Sequence, residues 1–174
     1  MEESLNNSIQ PEDIEILIEE LDNSDGLKRR RARISLVTIG YPAVPALIKS
    51  LSNDRVHVRW EAGKALGEIG DPAAAPALVK LLEDEDQDVR GVASEGLISL
   101  DRSSIVPLLQ ALVRRFSSVW LRDGAHHVLH ILKQRDHLSE PELKVFNALE
   151  DVVPEVEVPW AAENALEALG HLEK

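Results

Sequence analysis

Two histidines in the second half of the sequence have the spacing of metal ligands on one helix. His126 and His130 are four residues apart, so in an α-helix their imidazoles lie on the same face and could bind a metal ion together. Protein zinc sites use three or four side-chain ligands, and no other segment offers an obvious third ligand at matched spacing. We therefore expect an exposed or interface histidine cluster, with a metal pair as the alternative, and no cofactor.

An arginine recurs at a nearly constant interval through the middle of the chain. The four members are Arg29, Arg59, Arg90 and Arg122. In one interpretation they form a stripe that binds phosphates or acidic peptides. In the other, each lies in the first turn of a helix and pairs with a carboxylate near a repeat boundary, such as Asp54, Asp86 or Asp88. We favour this structural ladder because stacked repeats need the same contact at every boundary.

Two further charged clusters invite a binding interpretation. Residues 28–33 place five basic side chains around one helical turn. We predict a solvated face there, with contact to the acidic first helix or to a partner as alternatives. Residues 83–88 form an acidic turn that could hold a hard cation, but they lack the glycine and the spacing of a calcium loop. A solvated loop between repeats is the prediction.

The composition excludes several classes of function. The 174 residues include no cysteine, which excludes a disulfide scaffold, a thiolate metal site and a cysteine nucleophile. Aromatic residues make up 3% of the chain, so a β-dominated core is not expected. Phosphate-binding loops and nucleophile elbows are missing, and we expect no enzymatic activity. Because no apolar run approaches a membrane span and the start is acidic, we expect a cytoplasmic protein without a membrane partner.

The formal net charge of −12 is unevenly distributed. Residues 1–25 carry nine acidic and no basic side chains, and residues 136–174 carry ten acidic and two basic ones. Residues 26–135 carry twelve acidic and seventeen basic ones. Charged ends keep an elongated fold soluble, and a basic middle surface for an acidic partner is the alternative. Nucleic acid is not expected as a partner, because the cations do not converge on one face.

A shift of about 31 residues aligns the chain with itself. Behind the arginines follow columns of alanine and leucine at the spacing of one helix face: Ala32, Ala62, Ala93, Ala125, Leu36, Leu66, Leu97 and Leu129. Gly40 and Gly70, followed by Pro42 and Pro72, predict the end of one helix and the start of a second. Glycines inside the helices are expected to permit close packing between neighbours: Gly63, Gly67, Gly91 and Gly96.

A repeating two-helix unit predicts a solenoid in which each unit buries its apolar face against its neighbours. We predict an all-α fold, an α-α superhelix of about four helical hairpins plus terminal helices. The chain is one domain over residues 1–174. Its predicted segments are an N-terminal capping helix at 1–24, repeats at 25–53, 54–85, 86–117 and 118–151, and a C-terminal helix at 152–174.

Three segments resemble HEAT-repeat proteins, and among them the short variety named after phycobilisome lyases. They are VRWEAGKALGEIGD at 58–71, APAL at 75–78, and DVR at 88–90 with Ala93 and Leu97. The resemblance covers most of residues 25–132 and implies a HEAT-like solenoid. Proteins similar at this level include scaffolds, bilin lyase subunits, chaperone-like factors and a few enzymes, so the resemblance implies no single activity.

Two binding surfaces are predicted from the repeat. The second helices of the hairpins should line the concave side and expose a stripe to another protein: Lys49, Ser52, Lys80, Glu83, Ala111 and Arg114. The predicted function is a protein-protein interaction scaffold or adaptor, with a bilin lyase-like or chaperone-like factor acting on a phycobiliprotein-type client as the alternative. The last helix repeats the first-helix pattern and carries excess apolar residues: Val156, Val158, Trp160, Leu166, Leu169 and Leu172. Self-association through this end, or continuation into a longer array, is expected.

Overall fold

The protein is a stack of helical hairpins. A computed structural model describes residues 11–151 and 154–171, and within these ranges every regular element is helical. The α-helices are α1 (Pro11–Glu20), α2 (Gly26–Ile39), α3 (Val44–Ser50), α4 (Val56–Ile69), α5 (Ala75–Leu81), α6 (Gln87–Leu100), α7 (Ile105–Arg115), α8 (Val119–Gln134), α9 (Glu140–Leu149) and α10 (Pro154–Ala168). Short 3-10 turns at Tyr41–Ala43, Pro72–Ala74 and Asp101–Ser104 join the two helices of the first three hairpins.

Helix ends follow from the turn residues. The side chain of Asp25 caps α2 by accepting the N–H of Leu27, and Asp86 caps α6 in the same way. Gly40 and Gly70 end α2 and α4 at φ values of 75° and 73°, as the sequence predicts. In the third hairpin Asp101 takes this place at a φ of 53°, so the turn forms without glycine.

The core lies between two rows of helices. The first helices of the hairpins, α2, α4, α6 and α8, pack side by side, and α5 packs against α7 in the second row. The predicted alanine and leucine columns are buried at every position. Each buried leucine contributes about 1.5–3 kcal/mol to stability, and the alanines between them let the helices approach. The all-α solenoid predicted from the repeat is therefore the observed fold.

Three of the four helical glycines that were predicted to permit close packing lie where neighbouring helices touch. A Cβ at Gly63 would lie 2.7 Å from Cγ1 of Val92, and one at Gly67 would lie 2.8 Å from the Cα of Gly96. Close packing therefore explains these glycines. The same expectation is wrong for Gly91, because a Cβ there would meet no atom within 4 Å.

The C-terminal part departs from the regular stack. The sequence predicts that the last helix follows as another first-type helix, but α10 packs mainly against α7 and α9. Val158 and Leu166 are buried in this contact, whereas Val156 and Trp160 are exposed. Leu172 lies outside the described residues. The apolar side chains of α10 therefore form two groups. Val158 and Leu166 belong to the core, and Val156 and Trp160 face solvent.

One helical run has the length and composition of a membrane span. Residues 87–115 comprise α6, the turn at Asp101–Ser104 and α7. This run is long and apolar enough to cross a membrane, contrary to the sequence expectation. Half of the most apolar 18-residue stretch of this run is buried inside the structure. The two helices are separated at Asp101, whose φ is positive. Helices in the core of a solenoid pass the same test because they bury apolar side chains against their neighbours.

Candidate functional site

The predicted stripe lies at the C-terminal ends of the second helices. Lys49 and Lys80 occupy the last turns of α3 and α5, and Arg114 occupies the last turn of α7. All three side chains are exposed, as is Ser52, while Glu83 is half-buried. Cations in this place also interact favourably with the negative end of the helix dipole.

Two adjoining grooves run between these helices. The groove between α3 and α5 has a volume of about 390 Å³ and is lined by Ile48, Leu51, Ser52, Ala77, Lys80, Leu81, Glu83 and Asp84. The groove between α5 and α7 has a volume of about 150 Å³ and is lined by Pro76, Val79, Pro107, Gln110, Ala111, Arg114 and Arg115. The structure therefore brings most of the predicted stripe to groove walls. Ala111 was predicted to be exposed, but it is buried, because it forms part of the groove floor.

The carboxylates on this surface are already paired. Glu83 makes an ion pair with Arg115, and Asp84 makes one with Arg59. Within the described ranges, by contrast, Lys49, Lys80 and Arg114 make no ion pair with a carboxylate. The stripe therefore presents cations that the fold itself does not neutralise.

The repeated arginines tie each helix to the loop before it. Nη1 of Arg59 donates to the carbonyl oxygens of Asn53 and Asp54 at 2.9 and 3.2 Å. Arg29 and Arg90 each donate from Nη1 to two carbonyl oxygens, those of the residues six and five positions earlier in the chain. Arg122 donates from Nη1 to one carbonyl oxygen, six positions earlier. These carbonyls end the preceding helices or lie in loops, so each arginine satisfies acceptors that lack helical partners.

Three of these arginines also contact a carboxylate further along the chain. Arg29 approaches Glu61 at 3.8 Å, Arg59 binds Asp84 at 2.7 Å, and Arg122 binds Glu155 at 2.9 Å. The guanidinium of Arg90 instead lies 4.7 Å from the ring centroid of Trp120. The predicted carboxylate partners Asp54, Asp86 and Asp88 are therefore wrong, because the arginines pair with Glu61, Asp84 and Glu155 instead. The hydrogen bonds that Arg59 donates to Asp84 raise the pKa of Arg59 above its usual value, against the opposing effect of burial.

The basic run at residues 28–33 divides into two groups. Lys28, Arg30 and Arg31 are exposed, as predicted for a solvated face. Arg33 is buried instead, where Nε lies 2.9 Å from Oε2 of Glu61 and Nη1 contacts Glu68. The prediction is wrong for Arg33 because its position on α2 faces α4 rather than solvent.

The two candidate metal ligands stack on an aromatic ring. The imidazole of His126 lies 6.1 Å from that of His130 and 5.2 Å from the ring of Phe146, measured between centroids. Nε2 of His130 is hydrogen-bonded to Gln134 at 2.9 Å, and Nε2 of His126 lies 3.5 Å from Glu150. In the described part of the chain no group of three or more metal-ligating side chains comes together.

An ion pair between exposed Arg102 and buried Glu142, which the sequence analysis missed, anchors the irregular fourth repeat. Arg102, in the turn between α6 and α7, donates to both carboxylate oxygens of Glu142 at 2.8 and 2.9 Å. Glu142 also accepts the N–H of Ser139 and so closes a capping box at the start of α9. The spacing Ser-x-x-Glu at 139–142 is the sequence signature of this cap and could have revealed it.

A third groove, between α6 and α8, was also missed. It has a volume of about 360 Å³, and its lining includes Arg90, Gly91, Trp120 and His127. The open space beside Gly91 belongs to this groove, which explains why packing does not require that glycine.

Comparisons with known proteins agree with the repeat architecture. Residues 14–98 match the family of HEAT repeats. Among solved structures, the chain is similar to a crystal structure from the Northeast Structural Genomics Consortium that is described as an engineered protein. The two are 20% identical with a TM-score of 0.41, over 88% of this chain and 78% of the other. No curated protein is significantly similar to the chain. The stacked hairpins within residues 14–98 agree with this similarity to HEAT repeats.

Proposed function

We propose that this protein is a non-enzymatic scaffold or adaptor that binds a protein partner along α3, α5 and α7. The observation that carries the proposal is the set of exposed cations at the ends of these helices, Lys49, Lys80 and Arg114, beside two adjoining grooves. HEAT repeats generally mediate protein-protein interaction, and residues 14–98 match that family. A cytoplasmic location is part of the same proposal.

The grooves supply an apolar floor as well as charge. Ile48, Ala77 and Leu81 line the first groove, and Pro76 and Val79 line the second. Protein interfaces combine such an apolar centre with a polar rim, and the apolar centre supplies most of the binding free energy. The cations at the rim are expected to accelerate association and select the partner more than they strengthen binding.

The test is partner capture with a charge-reversed surface. We would immobilise the wild-type protein and the triple variant Lys49→Glu, Lys80→Glu, Arg114→Glu, incubate each with native cell extract, and identify bound proteins by mass spectrometry. The matched control is Lys28→Glu, Arg30→Glu, Arg31→Glu, which makes the same charge change on the exposed face of α2. We expect one dominant protein that the wild type and the control retain and the first variant loses. Equal retention by all three proteins, at unchanged helicity, would reject this surface.

A bilin lyase-like or chaperone-like role is the alternative that the resemblance to phycobilisome-lyase repeats implies. Neither groove between the second helices is lined by an aromatic side chain from the described residues, which disfavours a large conjugated tetrapyrrole there. Pigment that co-purifies with the protein in stoichiometric amount would support this alternative over the scaffold.

A further inference from the structure

The chemistry of the partner can be inferred from the charges that the fold leaves uncompensated. At the two grooves, Glu83 forms an ion pair with Arg115, and Asp84 forms one with Arg59. Lys49, Lys80 and Arg114 make no such pair with the residues that the structure describes. This surface therefore carries three uncompensated cations, of which Lys80 and Arg114 line the two grooves beside their apolar residues.

The spacing of the cations sets the interval between the carboxylates that could contact them. Lys49 and Lys80 are equivalent positions of successive repeats, so they are separated by the distance between adjacent helices, about 10 Å. Three residues of a polyproline II segment span about 9 Å, because each residue rises about 3.1 Å, and side chains three residues apart lie on the same face. A helical segment would need about seven residues for the same distance at 1.5 Å per residue.

Arg114 is displaced from this line by one helical turn. The position equivalent to Lys80 is Ala111, which is buried in the groove floor, and Arg114 lies three residues further along α7. A segment that contacts both lysines must therefore cross α5 and α7 diagonally to reach Arg114. The neighbouring loops carry Asp54 and Glu85, whose negative charge opposes a path across the loop edge.

We propose that the partner contributes an acidic segment in polyproline II conformation, with carboxylates at every third residue and small apolar residues between them. This inference rests on the proposed function and names the recognition chemistry of the same surface. The first two carboxylates contact Lys49 and Lys80, the third contacts Arg114, and the apolar residues lie over Ala77 and Val79. Nucleic acid fits less well, because phosphate-dominated binding needs many converging cations and this chain has a net charge of −12.

The experiment measures binding of three labelled twelve-residue peptides to the full chain by fluorescence polarisation. The first has glutamate at every third position, with proline and alanine between to prevent helix formation. The second has the same composition with all glutamates at one end, and the third replaces glutamate by lysine. We expect the first peptide to bind about tenfold more tightly than the second, and the third not to bind, because exposed ion pairs each contribute a few-fold in affinity.

Variants then assign the contact to this surface. Lys49→Gln, Lys80→Gln, Arg114→Gln should weaken binding of the first peptide about tenfold, and raising the salt concentration should do the same. The control Lys28→Gln, Arg30→Gln, Arg31→Gln removes the same charge from α2 and should leave the affinity unchanged. Equal loss in both variants, or stronger binding of a single-stranded oligonucleotide at the same site, would overturn the inference.

Failure of this inference can be told apart from failure of the proposed function. If no acidic peptide binds, yet the captured partner still depends on the three cations, the acidic segment is wrong and the scaffold stands. If the first peptide binds as expected but no extract protein depends on these cations, the scaffold function is wrong and the surface recognises acidic segments for another purpose.

Discussion

Arg59 in α4 and Asp84 in the loop between α5 and α6 form a bidentate ion pair. Nε of Arg59 lies 2.7 Å from Oδ2 of Asp84, and Nη2 lies 2.9 Å from Oδ1. Both side chains are only 8% exposed. Oδ1 of Asp84 also accepts the N–H of Asp86, so this one carboxylate joins the arginine of one repeat to the loop that starts the next.

Truncating this arginine should destabilise the fold. Removal of one partner of a buried ion pair leaves the other charge without compensation, so we expect Arg59→Ala to lower the free energy of unfolding by about 3 kcal/mol. Adding Asp84→Asn should recover part of this loss, because asparagine carries no charge and can still accept the N–H of Asp86. Urea unfolding followed by circular dichroism measures both effects. The exposed Arg31→Ala is the control, and an equal, small loss in both single variants would contradict the ladder.

The helical glycines should respond to alanine in opposite directions. Gly91→Ala should raise the free energy of unfolding by up to about 1 kcal/mol, because alanine favours the helix and the added Cβ meets open space. Gly63→Ala should lower it by about 1–3 kcal/mol, because the Cβ would collide with Val92. Thermal unfolding of the two variants measures the difference. Destabilisation by Gly91→Ala would show that the space beside it is filled.

Acid should weaken the anchor of the fourth repeat. Burial alone would raise the pKa of Glu142, but the hydrogen bonds from Arg102 and Ser139 outweigh it and lower the pKa below the ordinary value of 4.5. A lowered native pKa stabilises the fold at any pH above the unfolded value. That stabilisation is lost as the pH falls below about 4.5 and through the lower native pKa.

The variant Glu142→Gln should therefore be less stable than the wild type at neutral pH, and the difference should shrink on acidification. Stability measured by urea unfolding between pH 7 and pH 3 tests this. Glu140→Gln, at an exposed position in the same helical turn, should leave the pH dependence unchanged. A wild-type profile identical to that of Glu142→Gln over this range would be inconsistent with a lowered pKa.

The exposed apolar side chains of α10 should mediate self-association. Val156 and Trp160 are 64% and 66% exposed and lie four residues apart, on the same face of the helix. We expect Val156→Glu, Trp160→Glu to remain monomeric at concentrations where the wild type associates, as measured by sedimentation velocity. Tyr41→Glu is a control at an equally exposed aromatic position. A wild type that is strictly monomeric at high concentration would refute this prediction.

The repeat made most of the fold predictable from the sequence. The spacing of alanine and leucine identifies the buried face of each first helix, and Gly40 and Gly70 end two of those helices as predicted. The packing of the C-terminal helix was predicted wrongly. Because Trp160-Ala161-Ala162 resembles Trp60-Glu61-Ala62, the sequence predicts another first helix, but α10 packs against α7 and α9. A local pattern specifies which face is apolar, but the neighbour that covers this face depends on the irregular fourth repeat before it.

The candidate site was only partly predictable for a related reason. Arg29, Arg30 and Arg33 are chemically alike in the sequence, and only the direction of each side chain on α2 decides whether it faces a loop, solvent or Glu61. Ala111 occupies the same repeat position as Lys80, yet it is buried while Lys80 is exposed. The ion pair between Arg102 and Glu142 joins residues that are 40 positions apart, so tertiary packing rather than local spacing brings them together.

The most direct test of the proposed binding surface is lysine-directed crosslinking of the captured partner, followed by mass spectrometry of the joined peptides. Lys49 and Lys80 are themselves exposed on that surface, and Lys28 and Lys144 are exposed at other places on the molecule. We predict that the partner is crosslinked to Lys49 and Lys80. Crosslinks confined to Lys28 or Lys144 would contradict a binding site on α3, α5 and α7.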